Sequence, residues 1–224
     1  MKTNGQADKS RIIRHQLAHI LRRLSDEVTT CDAPDELFGE MADRVERLCS
    51  DLRDKPAYYR KIGFFKGEQA EGEKIFDYGM KDLNPFSGLA NPLAPPLKLV
   101  QHERDAAEGR VIFPARYEGP DGFVQQGYIA GVFDEFLGYV QSRRSRPVMT
   151  GILDVHFHEQ CPVNLEVSLE GRVKRAETSL IFAESSMHAG HQLIAEAEAV
   201  FFIIDVDTYK GFVQARNQKL KSEI

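Results

Sequence analysis

Gly127, Gly131, Asp134 and Gly138 recur at i, i+4, i+7 and i+11 within the stretch Tyr117 to Arg144, so one carboxylate sits in a face otherwise built of glycine. A glycine inside a helix is unfavourable by roughly 1 kcal/mol relative to alanine. Three on one face imply that something approaches the backbone there, either a second backbone or a thin ligand chain. Two further groups of residues carry potential chemistry. His156 and His158 share a strand face, and His188 and His191 can reach it from a neighbouring strand, but spacing fixes no acidic partner for a metal. The chain holds no G-x-S-x-G elbow, P-loop, G-x-G-x-x-G fingerprint or H-E-x-x-H pair.

The element that must position Asp134 is a helix. A turn cluster, Gly119, Pro120, Asp121 and Gly122, precedes it, and from Gln125 about five helical turns run without a proline. Ile129, Val132, Phe133, Phe136, Leu137 and Val140 form its apolar stripe at helical spacing. Upstream, Met1–Ser10 is polar and is expected to be disordered. Arg11–Leu24 sets Ile13, Leu17, Ile20, Leu21 and Leu24 at helical spacing against four arginines. Such a helix is expected to dock on its own domain or on a dimer partner, and membrane contact is not expected. Pro34 opens a second helix to about Arg53, striped by Leu37, Met41, Val45, Leu48 and Leu52. Tyr58–Met80 shows no clear period and reads as a long loop, with a lid or packing filler as its two open roles. Asn84–Pro96 is rich in turn residues and marks a junction.

Composition narrows the classes. The 224 residues suit one domain with an extension, and 42% hydrophobic residues with 14 Phe supply a core. A net charge of −5 gives no global reason to bind nucleic acid. No apolar run nears the ~18 residues of a membrane span, and the N-terminus lacks a signal-peptide apolar region. Cys31, Cys49 and Cys161 are odd in number and far apart, which points away from disulfides and towards a reducing cytoplasm.

The pattern YEGPxGFVxxGxIAxxFDExLG from Tyr117 onward resembles the central helix of hot-dog fold thioesterases, specifically PaaI-like acyl-CoA thioesterases. Asn84–Leu97, the PVMTG run at Pro147–Gly151 and AEAEAVFF at Ala195–Phe202 extend the resemblance, which spans roughly Asn84 to Asp205. It implies an α+β hot-dog domain at 84–208, a long helix wrapped by a curved antiparallel sheet of about six strands. Residues 1–83 would be an N-terminal helical extension and loop, and 209–224 a tail. Strands are expected near Leu97–His102, Arg110–Tyr117, Val148–His158, Leu165–Arg175, Glu177–Ser186 and Gln192–Val206, with a hairpin turn at Met187–Gly190. Alternation at Leu153, Val155 and Phe157, and at Leu165, Val167 and Leu169, supports two of these. AVFFII reads as a strand covered on both faces. The resemblance also implies a homodimer, or a tetramer built from it, with sites at the subunit interface.

For chemistry, the resemblance implies hydrolysis of an acyl-CoA or acyl-carrier-protein thioester, with coenzyme A as part of the substrate and no separate cofactor. Backbone amides at the helix start, here of Gln126 and Gly127, would polarise the thioester carbonyl. Asp134 of the neighbouring subunit would be general base or nucleophile, and Thr150 would orient water. Relatives carry His-Gly-Gly at the helix start, and this chain has Gln125, Gln126 and Gly127. Gln125 keeps a side-chain donor but does not titrate near pH 7. Gln126 keeps its N–H but adds bulk where relatives admit the acyl group. Gln125, Gly131 and Glu135 would line the substrate. The family's basic EGRK element falls on Glu177–Leu180, so its role does not pass to Arg172, and Lys174 and Arg175 remain as phosphate contacts. The alternative expectation is a hot-dog protein that binds an acyl thioester or hydrophobic ligand without cleaving it.

Overall fold

The computed structural model describes residues 4–55, 82–103, 105–144, 147–205, 207, 208, 211 and 215. The expected loop at Tyr58–Met80, and the tail at 209–224 apart from Gly211 and Ala215, lie outside the described residues. Three α-helices and six strands are described: α1 (Asn4–Thr30), α2 (Asp35–Arg53), β1 (Lys98–Glu103), β2 (Ala106–Ile112), α3 (Gln126–Val140), β3 (Val148–Phe157), β4 (Glu166–Ala176), β5 (Leu180–Ala189) and β6 (Gln192–Ile203).

The strands form one antiparallel sheet in the order β1-β2-β4-β5-β6-β3. α3 follows β2 and leads to β3 at the far edge, so the helix spans the sheet. Its six predicted stripe residues, Ile129, Val132, Phe133, Phe136, Leu137 and Val140, are all buried. They meet inward side chains of the sheet, among them Val167, Leu169, Ile181, Met187, Ala197 and Phe201. Complete burial of each large apolar chain is worth about 1.5–3 kcal/mol, so this stripe anchors the helix to the sheet.

Several boundaries differ from expectation, each for a local reason. The helix begins at Gln126 with Gln125 as its extended N-cap, and it ends at Val140 before a short 3₁₀ turn at Ser142–Arg144. β2 occupies Ala106–Ile112 rather than Arg110–Tyr117, because it pairs residue for residue with Glu166–Arg172, while Ala115–Tyr117 forms a 3₁₀ turn. The β5–β6 hairpin turns one step later than MHAG: Met187–Ala189 stay in the strand and Gly190 takes φ +58. Glu177–Ser179 is the β4–β5 turn, closed by Glu177 N–H to Leu180 O at 2.8 Å. Among the described residues only one face of AVFFII is covered: Phe201 is buried and Phe202 is 43% exposed.

α1 differs most. It begins at Asn4, so residues 4–10, expected to be disordered, are helical. It does dock on its own chain, but not through its apolar stripe. The ridge Arg11, His15, Ala18, Arg22 and Asp26 faces the body, with Ala18 and Arg22 buried. Arg11 holds the buried Asp82 through Nε and Nη2 at 2.6 and 2.9 Å. Arg22 donates to the carbonyls of Leu89 and Asn91, and Arg116 pairs with Asp26. Burial and the neighbouring Arg116 charge lower the Arg22 pKa. Arg116 also lies 4.6 Å from the Tyr117 ring.

Candidate active site

The start of α3 is held by a clip rather than by a side-chain cap. Gln125 N–H donates to Tyr117 O at 2.9 Å, Val124 N–H to Cys161 O at 2.8 Å, and Gly119 N–H to Phe123 O at 2.9 Å. Gly122, with φ +78, closes the turn between them. A helix leaves its first N–H groups without intrahelical acceptors, so those of Gln126 and Gly127 stand at the positive end of the α3 dipole. Beside them opens a cavity of about 310 Å³ lined by Phe123, Val124, Gln125, Gln126, Ile129, Glu159 and Cys161, among others. Gln126 lines this space without filling it. Burial pushes the Cys161 thiol up to about 11, so Cys161 is a protonated wall of the cavity.

Two turns further along, Asp134 is exposed on α3 and accepts a 2.7 Å hydrogen bond from Thr150 Oγ1. Thr150 reaches it because of a bulge in β3. The register slips between Thr150 and Ile152, leaving Gly151 unpaired. The bulge puts both Thr150, opposite Phe201, and Leu153, opposite Ala199, on the helix side of the sheet. Without it, alternation would send them to opposite faces. A Cβ on Gly151 would come within 1.9 Å of the Phe202 ring.

The glycine face is partly occupied by the chain itself. A Cβ at Gly131 would lie 2.1 Å from the Phe86 ring, so this glycine seats the Phe86 ring. Gly127 is covered by the Gln125 side chain, whereas Gly138 faces open space. Glu135 is equally committed: Asn84 Nδ2 and Ser87 Oγ donate to its two oxygens at 2.7 and 2.6 Å. The structure thus places Gly131 and Glu135, both expected to line the substrate, against the Asn84–Ser87 loop.

Lys174 and Arg175 are not gathered to this site. Lys174 bonds Glu184 and Glu198 at 2.9 and 2.8 Å on the sheet face turned away from α3, and these bonds raise its pKa. Glu184 is lowered in turn by Lys174 and Arg172. Arg175 pairs with Glu177 and covers the Phe182 ring. Of the histidines, His158 lies 3.0 Å from Glu196 and His156 lies 3.4 Å from Asp154. Among the described residues no group of three His, Cys, Asp or Glu is placed to hold a metal ion. No helix of the described residues is long and apolar enough to cross a membrane.

Sequence reasoning missed Phe86, the Asn84–Ser87 clamp, and the Glu159 and Cys161 walls. Asn84 does carry a turn signal, and its Oδ1 accepts from the amides of Phe86 and Ser87. Nothing local names Glu135 as the partner of its other end.

No protein-family model matches the chain, and no curated protein matches it in sequence. Solved structures do match. A thioesterase superfamily protein superposes with a TM-score of 0.70 over 84% of this chain and 94% of its own, at 21% identity. Strand order, the single helix across the sheet and this superposition together decide the architecture. The chain has the hot-dog fold. Shorter similarities accompany it. A Streptococcus mutans protein bound to acetyl-CoA is covered over 88% of its length by 48% of this chain, at 16% identity and TM-score 0.46. A phenylacetic acid degradation-related protein from Ralstonia eutropha is covered over 86% by 49% of this chain, at 14% and 0.46. Of the expected site residues in this hot-dog chain, Gln125 and Gln126 line the cavity at the start of the central helix, and Thr150 and Asp134 pair with each other two turns further on.

Proposed function

We propose that the protein hydrolyses acyl thioesters of coenzyme A or of an acyl carrier protein, at a site completed by a second copy. The observation that carries this reading is the Thr150–Asp134 hydrogen bond, which fixes a solvent-reachable carboxylate on the central helix. The orphan amides of Gln126 and Gly127 are donors for a thioester oxygen that gains negative charge as the carbonyl is attacked. Asp134 accepts the proton of the water that adds to the carbonyl, or adds to it directly and forms a mixed anhydride that a water then hydrolyses, and Thr150 orients the carboxylate and the water beside it. The thiolate then leaves and the acid is released.

Along one helix the two parts are eight residues apart, about 12 Å along the axis. That is too far for one carbonyl to touch both. A paired chain that sets its Asp134 opposite the first chain's Gln126 resolves the mismatch, which is why the reading includes a homodimer. The cavity of about 310 Å³ beside Gln126 suits the acyl end.

One feature favours a second reading. Gln126 stands where the hot-dog thioesterases it resembles keep a glycine, and it lines the cavity. A chain that binds an acyl thioester without cleaving it also fits that wall. Release of free thiol from a panel of acyl-CoAs, with Asp134→Asn as control, separates the two. Hydrolysis is expected from the natural chain and not from the variant. Ligand-induced thermal stabilisation with no released thiol would establish the binder instead.

A further inference from the structure

α1 and α2 present their apolar faces to solvent. Half of the exposed large hydrophobic residues of the described chain, ten of twenty, lie on these two helices. On α1 the apolar stripe through Ile13, Leu17 and Ile20 lies about 180° around the helix from the polar ridge that docks it. On α2 no residue is buried, and Leu48 and Leu52 are 61% and 63% exposed. The two helices of one chain are not packed along one another. Contiguous apolar faces of this extent mark an interaction surface.

Three properties of the arm identify its occupant. The stripes match in length, since Ile13 to Val28 and Leu37 to Leu52 each span about 22 Å of helix. They match in charge: outside its docking ridge α1 carries Lys9, Arg14 and Arg23 against Asp8 and Glu27, and α2 carries six Asp or Glu against three Arg. They match in apolar content, with six exposed large hydrophobic residues on α1 and four on α2. We infer that α2 of one copy lies on the apolar face of α1 of a second copy, and reciprocally, so that a two-fold pair is joined by a four-helix arm. The inference is independent of the thioesterase reading.

Ile20 and Val45 sit at the centres of the two stripes, so they meet whichever way the helices run. The test uses the full chain with the exposed Cys31 and Cys49 replaced by Ser. Copies carrying Ile20→Cys and Val45→Cys are co-expressed and oxidised, and products are read on a non-reducing gel. A covalent dimer is expected only when both copies are present, and the doubly substituted chain should also run as a dimer. Three results overturn the inference. An internal disulfide in a monomeric double variant would place α2 on its own α1. Self-linking of Ile20→Cys alone would pair α1 with α1. No cross-link in a folded mixture would mean that another segment or another protein covers the stripes. As a second check, Leu48→Glu with Leu52→Glu should cut the mixed cross-link at least tenfold while the circular dichroism of the sheet stays unchanged. Undiminished cross-linking in that variant would also overturn it.

Discussion

Thr150 Oγ1 donates a 2.7 Å hydrogen bond to Asp134 Oδ1 across the gap between an edge strand and the central helix. The two residues are tied to the fold by different means, Asp134 by the buried stripe of α3 and Thr150 by the β3 bulge. Asp134→Asn is expected to abolish thioester hydrolysis while thermal stability stays close to that of the natural chain, because the side chain is exposed. Thr150→Val removes a bond to a charged group, worth about 1.5–3 kcal/mol, so kcat should fall roughly tenfold to a hundredfold. Thr150→Ser should recover most of the loss. Equal activity of Thr150→Val and Thr150→Ser in a thiol-release assay would take the hydroxyl out of the mechanism.

Gly131 and Gly138 share a helix face but should respond oppositely to alanine. At Gly131 the new Cβ would stand 2.1 Å from the Phe86 ring. Gly131→Ala is therefore expected to destabilise by about 1–3 kcal/mol, as overpacking does. Phe86→Ala in the same chain should absorb part of that cost, a coupling that a double-mutant cycle reads directly. Gly138 faces open space, so Gly138→Ala should gain up to about 1 kcal/mol from helix propensity alone. Chemical denaturation of the four variants checks all of this at once.

These contrasts show what was legible in the chain and what was not. The stripe of α3 could be read because helix periodicity is local, and all six of its residues are buried. The same logic failed on α1. Periodicity assigns the apolar side inward, yet the ridge that faces the body holds Arg11, His15, Arg22 and Asp26. Their partners Asp82, Leu89, Asn91 and Arg116 lie 67 to 94 residues away. β2 was misplaced because Ala106, Ala107 and Gly109 are poor strand formers, and only their pairing with β4 makes them a strand. At the site, the helix and its carboxylate were visible in the sequence. That Gly131 and Glu135 serve the Asn84–Ser87 loop was not, since that contact closes across about fifty residues.

The polar docking of α1 leads to a third expectation. Asp82 has 8% of its side chain exposed and bonds Arg11, which is 42% exposed. Breaking a fully buried pair costs about 3–5 kcal/mol, and the exposure of Arg11 reduces this to about 1–2 kcal/mol. Asp82→Asn should therefore release α1 locally without unfolding the sheet. Limited proteolysis should cut within Asn4–Thr30 faster in the variant, while the main thermal transition moves little. A variant as resistant as the natural chain would mean that Arg22 and Arg116 hold the helix without Asp82.

Cys161 gives the pH dependence its sign. Burial raises its thiol from 9.0 to about 11, so between those values the folded chain keeps a proton that the unfolded chain has lost. The unfolded state then binds fewer protons, and stability falls as pH rises through that window. A shift of this size corresponds to at most about 2–3 kcal/mol. In a background with Cys31 and Cys49 replaced by Ser, the advantage of Cys161 over Cys161→Ala in urea denaturation should be full at pH 8. It should shrink progressively towards pH 11. The thiol should also resist alkylation at pH 8 until denaturant is added, because only the thiolate reacts and the folded site suppresses it. A pH-independent difference between the two chains, together with rapid alkylation in the native state, would mean that the wall beside Gln126 is open to water.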